Sequence, residues 1–375
     1  MTRAAYLDWN ATAKVRPAVI AAMAEALAEG GNPSSVHRFG RQAKRRLEQA
    51  RDAVAALVGA CATEVTFTSG GTEANALALQ GSGRERVLVS AVEHPSVLKA
   101  VAEAELIPVD TEGRVDLAAL EHLLASDSRP AIVSVMVANN ETGVIQPVAQ
   151  VAEIAHRHGA LVHADAVQAA GKIALSMAEL GADLISLSAH KLGGPQGVGA
   201  LVAAHDGVPL KPLLQGGGQE RRLRAGTENL PGIVGFGEAA REALEGLEGM
   251  ARVTALRERL EREAQALGGT GMVLFGGNAE RLPNTSCLAL HGVKAELQVM
   301  ALDLAGVAVS AGSACSSGKV TASHVLQAMG AAERLASCAI RVSLGWDSTE
   351  EDVEMFLAAW GKLASRAGKS DGIAA

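Results

Sequence analysis

Lys191 is the first residue from which chemistry can be argued. It follows the apolar run Leu184–Ser188 by way of Ala189 and His190, and Gly193, Gly194 and Pro195 then break the chain. The run reads as a buried strand and the glycines as the turn that stops it. Lys191 therefore stands at the mouth of a sheet. Held in a cleft, its amine would lose its proton more readily through desolvation, and a neutral amine can form a Schiff base. In open solvent it would be an ordinary lysine, and a tetrapeptide alone does not separate the two. Cys315 is the second such residue. It lies in Ser310-Ala311-Gly312-Ser313-Ala314-Cys315-Ser316-Ser317-Gly318, with no bulky neighbour to bury it. At an unperturbed pKa of about 8.5 a thiol is mostly protonated at neutral pH. It needs a nearby base or cation to become a strong nucleophile, and a flexible loop would let it visit one. The other cysteines, Cys61, Cys287 and Cys338, form no CxxC pair and read as small core residues.

The elements that must position these groups are legible from pattern. Strand signals at 64–69, 86–90, 106–109, 131–137, 161–164 and 183–188 alternate with helix signals at 17–29, 37–58, 95–104, 116–124 and 148–158. Continuous apolar runs between helices imply a parallel sheet covered on both faces. Ligands in such sheets bind at the carboxyl ends of the strands. The polar clusters fall there: Glu93-His94, Asn139-Asn140-Glu141, Asp165 with Gln168, and His190-Lys191. Four clusters in one topological position favour the cleft reading of Lys191. Gly70-Gly71-Thr72-Glu73 links a strand to a helix, and glycines there leave backbone N–H groups free for an anion. It is neither a Walker loop nor a dinucleotide fingerprint.

Asn32 and His37, in a glycine-rich break, are polar groups within reach of such a site, and Arg41, Lys44, Arg45 and Arg46 read as a solvated helical face. The glycine-rich polar run 216–229 reads as a loop near a ligand or a subunit boundary. A helical stretch from 231 to about 266 reads as a bridge to an α+β unit. That unit has strands near 272–275, 285–290, 307–310 and 339–344, and helices at 295–304, 323–329 and 349–363. Ser348 and Glu351 make a capping-box pattern, and Val353, Phe356, Leu357 and Trp360 share one helical face.

The bulk numbers fit a packed globular chain: 375 residues, 48% hydrophobic, 20% charged and only 2% aromatic, so the core is built from Ala, Val and Leu. A net charge of −7 argues against a general nucleic-acid binder. No apolar run approaches the roughly 18 residues of a membrane span. The opening MTRAAYLDWN reaches Asp8 before a signal-like core could form, so the expected location is cytoplasmic.

Taken together, the segments resemble the cysteine desulfurases, pyridoxal 5'-phosphate enzymes of the class V aminotransferase fold. The stretches that carry the likeness are YLDWNATA (6–13), GNPSSVH (31–37), FTSGGTEAN (67–75), EHPSV (93–97), NNETGVIQP (139–147), HADAVQAAGK (163–172), SAHKLGGPQGVG (188–199), GGGQERRLRAGTEN (216–229), SAGSACSSG (310–318) and RVSLGW (341–346). They span nearly the whole chain in family order. The compact cysteine loop resembles the nitrogen-fixation and housekeeping branch more than the selenocysteine-lyase-like branch.

The resemblance implies an α/β fold of PLP-dependent type I: a large domain (15–263) with a mainly parallel seven-stranded sheet, and a small α+β domain (1–14 and 264–375) carrying the cysteine loop. Lys191 would hold the cofactor as a Schiff base. Asp165 would pair with the pyridinium nitrogen, keeping the ring an electron sink. Gln168 would bond the ring hydroxyl, and His94 would stack on the ring and move protons. Thr72 and the backbone at Gly71, with Ser188 and His190, would hold the phosphate. Thr227 would reach the phosphate site of the other subunit, making a homodimer part of the site. Asn140 and Arg341 would grip the substrate carboxylate, which suits a planar guanidinium.

The implied reaction converts L-cysteine to L-alanine, with the sulfur held as a persulfide on Cys315 for an acceptor such as an iron–sulfur scaffold. No resident metal is implied, and Cys315 is the one residue that would meet an iron–sulfur cluster in passing. Two departures stand out: Trp346 follows Ser343-Leu344-Gly345 where the family often carries arginine, and Gly70-Gly71 replaces a frequent Gly-Ala. Three other readings remain open: a selenocysteine lyase, an aminotransferase or lyase of the same fold that does not use Cys315, and a sulfur-relay hub valued for docking.

Overall fold

The computed structural model describes residues 3–204, 208–311 and 323–371. Its first eight strands are β1 (Ala5–Tyr6), β2 (Val65–Thr68), β3 (Arg86–Ser90), β4 (Glu105–Ile107), β5 (Ala131–Ser134), β6 (Leu161–Asp165), β7 (Leu184–Ser188) and β8 (Gly199–Ala203). Seven of them form one sheet in the order β2-β8-β7-β6-β5-β3-β4. β4, β3, β5, β6 and β7 pair in parallel, while β8 runs antiparallel to β7 and β2. β3, β5 and β7 are buried along their whole length, as their unbroken apolar runs require. This is the mainly parallel seven-stranded α/β sheet that the sequence led us to expect. β8 was not among the expected strands; its five residues Gly199–Ala203 are too short and too close to a glycine-rich loop to announce themselves.

Five further strands follow: β9 (Met272–Phe275), β10 (Thr285–Leu290), β11 (Val307–Ala308), β12 (Ser310–Ala311) and β13 (Ala339–Ser343). β12, β13, β10 and β9 form an antiparallel four-stranded sheet, and β1 pairs in parallel with β11. Val353, Phe356, Leu357 and Trp360 are buried in its core, so the four-residue face read from the sequence is the one that packs. No helix among the described residues is long and apolar enough to cross a membrane.

The expected bridge helix is two helices, Leu230–Glu245 and Met250–Gly268, separated by a tight turn at Leu247–Gly249. Glycines at 246 and 249 make that break inexpensive. The first helix packs Ile233, Phe236, Ala239 and Ala240 into the large core. The second puts Val253, Leu256, Leu260 and Ala264 into the core of the smaller sheet. A division at 264 would cut this helix from the core its side chains share.

Three local expectations are corrected. The capping box is one residue later: Thr349 Oγ1 accepts from the Asp352 N–H at 3.4 Å, and Asp352 Oδ2 from the Thr349 N–H at 2.9 Å. Ser348 instead closes the preceding turn, accepting from the Gly345 N–H at 3.0 Å. The helix expected over 95–104 stops at Leu98, because the chain must turn back to reach β4. Cys61 is exposed at the start of a short helical turn, unlike the buried Cys287 and Cys338.

Candidate active site

β6 ends on Asp165, which is only 6% exposed. Its Oδ2 accepts from Asn75 Nδ2 at 2.8 Å and its Oδ1 from the Val167 N–H at 2.9 Å. Charge-assisted bonds of this kind hold a carboxylate in one orientation. Beneath it, His163 bonds Ser134 Oγ and Ser186 Oγ, each at 2.8 Å, and burial lowers its pKa to about 4. The ring is therefore neutral under the sheet end. Beside Asp165, Glu93 is wholly buried; burial and the Asp165 charge push its pKa well up, and its Oε2 has no hydrogen-bond partner among the described residues.

His94 caps the short helix Pro95–Leu98, its Nδ1 accepting from the Ser96 N–H at 3.1 Å. Ser96 Oγ lies 2.8 Å from the same nitrogen and accepts from Asn75 Nδ2 at 2.9 Å. In the neutral ring this places the proton on Nε2. Burial lowers the His94 pKa, Asp165 opposes that, and Lys191 and His324 add to it. One asparagine, Asn75, thus aligns both Asp165 and the His94 turn.

Lys191 follows β7 on a short helical turn, and its Nζ donates to the Asn10 and Ala11 carbonyls at 2.6 and 2.9 Å. His190 Nδ1 lies 3.2 Å from Thr12 Oγ1, and burial together with Lys191 lowers its pKa to about 4. Gln168 donates from Nε2 to the Asn10 carbonyl at 3.0 Å, and its Oε1 accepts from Lys172 Nζ at 2.8 Å. The segment 10–12 therefore touches three of the expected site residues.

Gly71 opens the helix Gly71–Gly81. A Cβ there would lie 2.9 Å from Val167 Cγ2 and 3.5 Å from Ser188 Cβ, so the glycine lets Val167 and Ser188 pack close to the helix start. The first-turn amides of the helix have no acceptor within it, the usual arrangement for an anion. Thr72 is exposed at the second position and Ser188 is buried at the end of β7.

From the second sheet, Arg341 in β13 donates to the Asn140 carbonyl at 3.1 Å and to Asp8 Oδ1 at 2.7 Å. Its Nε is buried with no hydrogen-bond partner among the described residues. Asn140 and Arg341 are thus brought together, through Asn140's backbone. Ser310, cross-strand partner of Arg341, donates to Asp8 Oδ2 at 2.9 Å. Ser323 donates to Glu141 Oε2 at 2.6 Å. The residues on either side of 312–322 are thus tied next to Arg341 and Asn140; Cys315 itself lies outside the described residues.

Thr227 is exposed and makes no hydrogen bond within the chain among the described residues. Asn32 and His37 are spent locally, on the Ser34 N–H at 2.8 Å and the Gly40 N–H at 3.2 Å. Trp346 packs edge-on to Trp9, with the Arg16 guanidinium 5.2 Å from its ring centre. Asp8, Asn10, Asn75, Glu93 and Lys172 carry contacts that sequence reasoning had not assigned. Asp8 and Asn10 lie in YLDWNATA and Lys172 in HADAVQAAGK, but those stretches do not say what the side chains meet.

The donor set fits pyridoxal phosphate. Asp165 offers a fixed carboxylate, Lys191 an amine, His94 a ring, and the helix that starts at Gly71 its first-turn amides. The match to the aminotransferase class-V family model covers residues 5–356. A cysteine desulfurase of Cereibacter sphaeroides is 47% identical over 94% of this chain and 93% of its own. The "Cysteine desulfurase IscS" of Dictyoglomus turgidum is 42% identical over 95% and 93%. A solved NifS-like protein from Rickettsia africae superposes with a TM-score of 0.89 at 34% identity, over 97% of this chain and all of that one. The chain belongs to the class-V aminotransferase family, whose cofactor is pyridoxal phosphate, and within it to the cysteine desulfurases.

Proposed function

We propose that this protein takes the sulfur of L-cysteine as a persulfide on Cys315 and releases L-alanine. The observation that carries the reading is a convergence. Asp165, His94 and Lys191 lie together at the carboxyl end of the seven-stranded sheet, and Arg341 arrives from the other sheet beside the strand that leads to Cys315. The cysteine desulfurase relatives support the same chemistry. So does a solved relative, "SspA in complex with cysteine", 28% identical with a TM-score of 0.78 over 91% of this chain and 98% of that one.

Bound pyridoxal phosphate supplies the electron sink that stabilises negative charge at the substrate α-carbon. Asp165 holds the proton of the ring nitrogen, and Lys191 supplies the amine that carries the cofactor. Arg341 and Asn140 fix the substrate carboxylate, and His94 Nε2, which carries the ring proton, donates and recovers it. The Cys315 thiolate attacks the substrate sulfur: an S–S bond forms, the substrate Cβ–S bond breaks, and its electron pair is protonated on the carbon fragment that leaves as alanine.

Thr227 and the exposed apolar residues Leu27, Val36 and Phe39, which are 67%, 87% and 61% exposed, favour a homodimer in which Thr227 reaches the other subunit's phosphate site. The reading places the protein in the cytoplasm, with a sulfur-accepting protein such as an iron–sulfur scaffold as partner. Wild type, Cys315→Ala and Lys191→Ala are compared for alanine and sulfide formed from L-cysteine with a reductant. Sulfide release should vanish in Cys315→Ala while its yellow band remains, and both should vanish in Lys191→Ala. Undiminished turnover in Cys315→Ala would replace this reading with a lyase that does not use the thiol.

A further inference from the structure

Lys172 is a second lysine at the site, and it is buried. Its Nζ donates to Gln168 Oε1 at 2.8 Å and to Asn10 Oδ1 at 3.1 Å, and no carboxylate pairs with it among the described residues. The amide of Gln168 is therefore held from both sides. The Asn10 carbonyl can only accept, so it takes an N–H from Nε2 at 3.0 Å. Turning the amide over would set two oxygens against each other. Lys172 donates to the oxygen on its own side, and burial with the nearby Lys191 and Arg341 charges pushes its pKa well down.

Asn10 is fixed in the same way. Its Oδ1 also accepts from Asn284 Nδ2 at 3.0 Å, and its Nδ2 donates to Thr285 Oγ1 at 2.9 Å and the Asn140 carbonyl at 3.2 Å. The chain of bonds runs from the second sheet through Asn10 and Lys172 to Gln168, and each amide has one allowed orientation. It leaves one N–H of Gln168 without a protein acceptor among the described residues.

We propose that Lys172 is a positioning residue that locks Gln168 with its amide N–H, rather than its oxygen, available to the cofactor's ring oxygen. The inference rests on the cofactor reading of the site. A donor at that oxygen favours its ionised form, so the protein fixes the charge state of the ring before substrate arrives. With Lys172 gone, the Asn10 carbonyl alone holds the Gln168 amide, so the N–H is held less firmly toward the ring oxygen and its ionised form is favoured less.

The test is a double-mutant cycle read on the visible band of the cofactor-loaded protein as pH is raised. Lys172→Met should move the titration midpoint upward, by less than the shift of about one pH unit expected for Gln168→Leu. The double variant should move no further than Gln168→Leu alone, because Lys172 acts through the donor that this change removes. Shifts that add in full would mean that Lys172 acts through its charge and not through Gln168, and an unshifted Lys172→Met would equally overturn the proposal. If Lys172→Met does not fold, Lys172→Gln, which keeps a donor, is read in the same cycle and should restore part of the wild-type midpoint. A wild type that takes up no cofactor would instead strike the underlying reading of the site.

Discussion

Glu141 is a buried carboxyl whose ionisation the fold resists. Burial raises its pKa from 4.5 to about 7, against the opposing pull of the Ser323 hydroxyl and Arg341. The sign follows from proton binding. Between those two values the folded chain holds a proton that the unfolded chain has lost, so stability is fully present below pH 4.5 and declines as pH rises through 7. Glu141→Gln cannot ionise and should escape this decline. Across pH 5 to 8 the wild type should lose on the order of 3 kcal/mol relative to the variant, measured as the difference in urea-unfolding free energy. Glu93 has the same sign but contributes to both proteins, so the difference isolates Glu141. Parallel curves would mean that Glu141 ionises freely in the folded state. Because Ser323 follows the cysteine segment directly, the same titration acts on the anchor of that segment.

Among the elements, the turn at Gln219–Arg222 holds three successive left-handed residues that are not glycine: Glu220 (φ 43), Arg221 (φ 53) and Arg222 (φ 68). Such a conformation costs roughly 1–2 kcal/mol per residue. Two of the three are held by strong partners. Glu220 takes a two-pronged bond from Arg51 at 2.7 and 2.8 Å and the Phe67 N–H at 2.8 Å, while Arg221 reaches the Val65 carbonyl. Arg222 is exposed and its side chain makes no hydrogen bond or ion pair among the described residues. Arg222→Gly should therefore stabilise the protein by about 1 kcal/mol, raising the thermal midpoint. A lowered midpoint would show that Arg222 has a stabilising contact outside the chain. This strain was invisible in the sequence, where the run reads only as a polar, glycine-rich loop. Signals that repeat locally were legible: the short, largely apolar runs of β5, β6 and β7 placed Asp165 and Lys191 at strand ends, and the spacing of Val353, Phe356, Leu357 and Trp360 gave a buried face. Choices between chemically similar neighbours were not. Ser348 and Thr349 are both cap types, and only the Gly345 turn decides which one caps. Nor can any local pattern reveal that Asn10 meets Lys172 and Asn284, which are brought to it by topology alone.

At the scale of the molecule, residues 5–16 form a strap across both cores. β1 adds to β11, Asp8 bridges Ser343 of β13, the Ala13 N–H donates to the His190 carbonyl at 2.8 Å, and the Arg16 N–H to the Gly193 carbonyl at 3.0 Å. The strap thus joins the sheet that carries Arg341 to the loop that carries Lys191. Asn10 is its central buried residue, 1% exposed, with four side-chain bonds reaching Thr285 and Asn284 on one side and Lys172 and Asn140 on the other. Each of these partners keeps another bond when the side chain is removed. Lys172 retains Gln168, Asn284 the Leu344 carbonyl, Asn140 the Arg341 guanidinium, and Thr285 the Asn284 oxygen. The cost of Asn10→Ala is therefore that of four weakened bonds and not of four stranded groups, about 3 kcal/mol in all. Asn32→Ala, which removes one exposed bond within its own turn, should cost well under 1 kcal/mol and serves as the control. Urea unfolding of the two variants checks the comparison. A loss at Asn10 no larger than at Asn32 would mean that the two sheets are held together by their apolar contacts alone. A loss of the expected size would make this asparagine the polar joint that sets Arg341 and Lys191 in register.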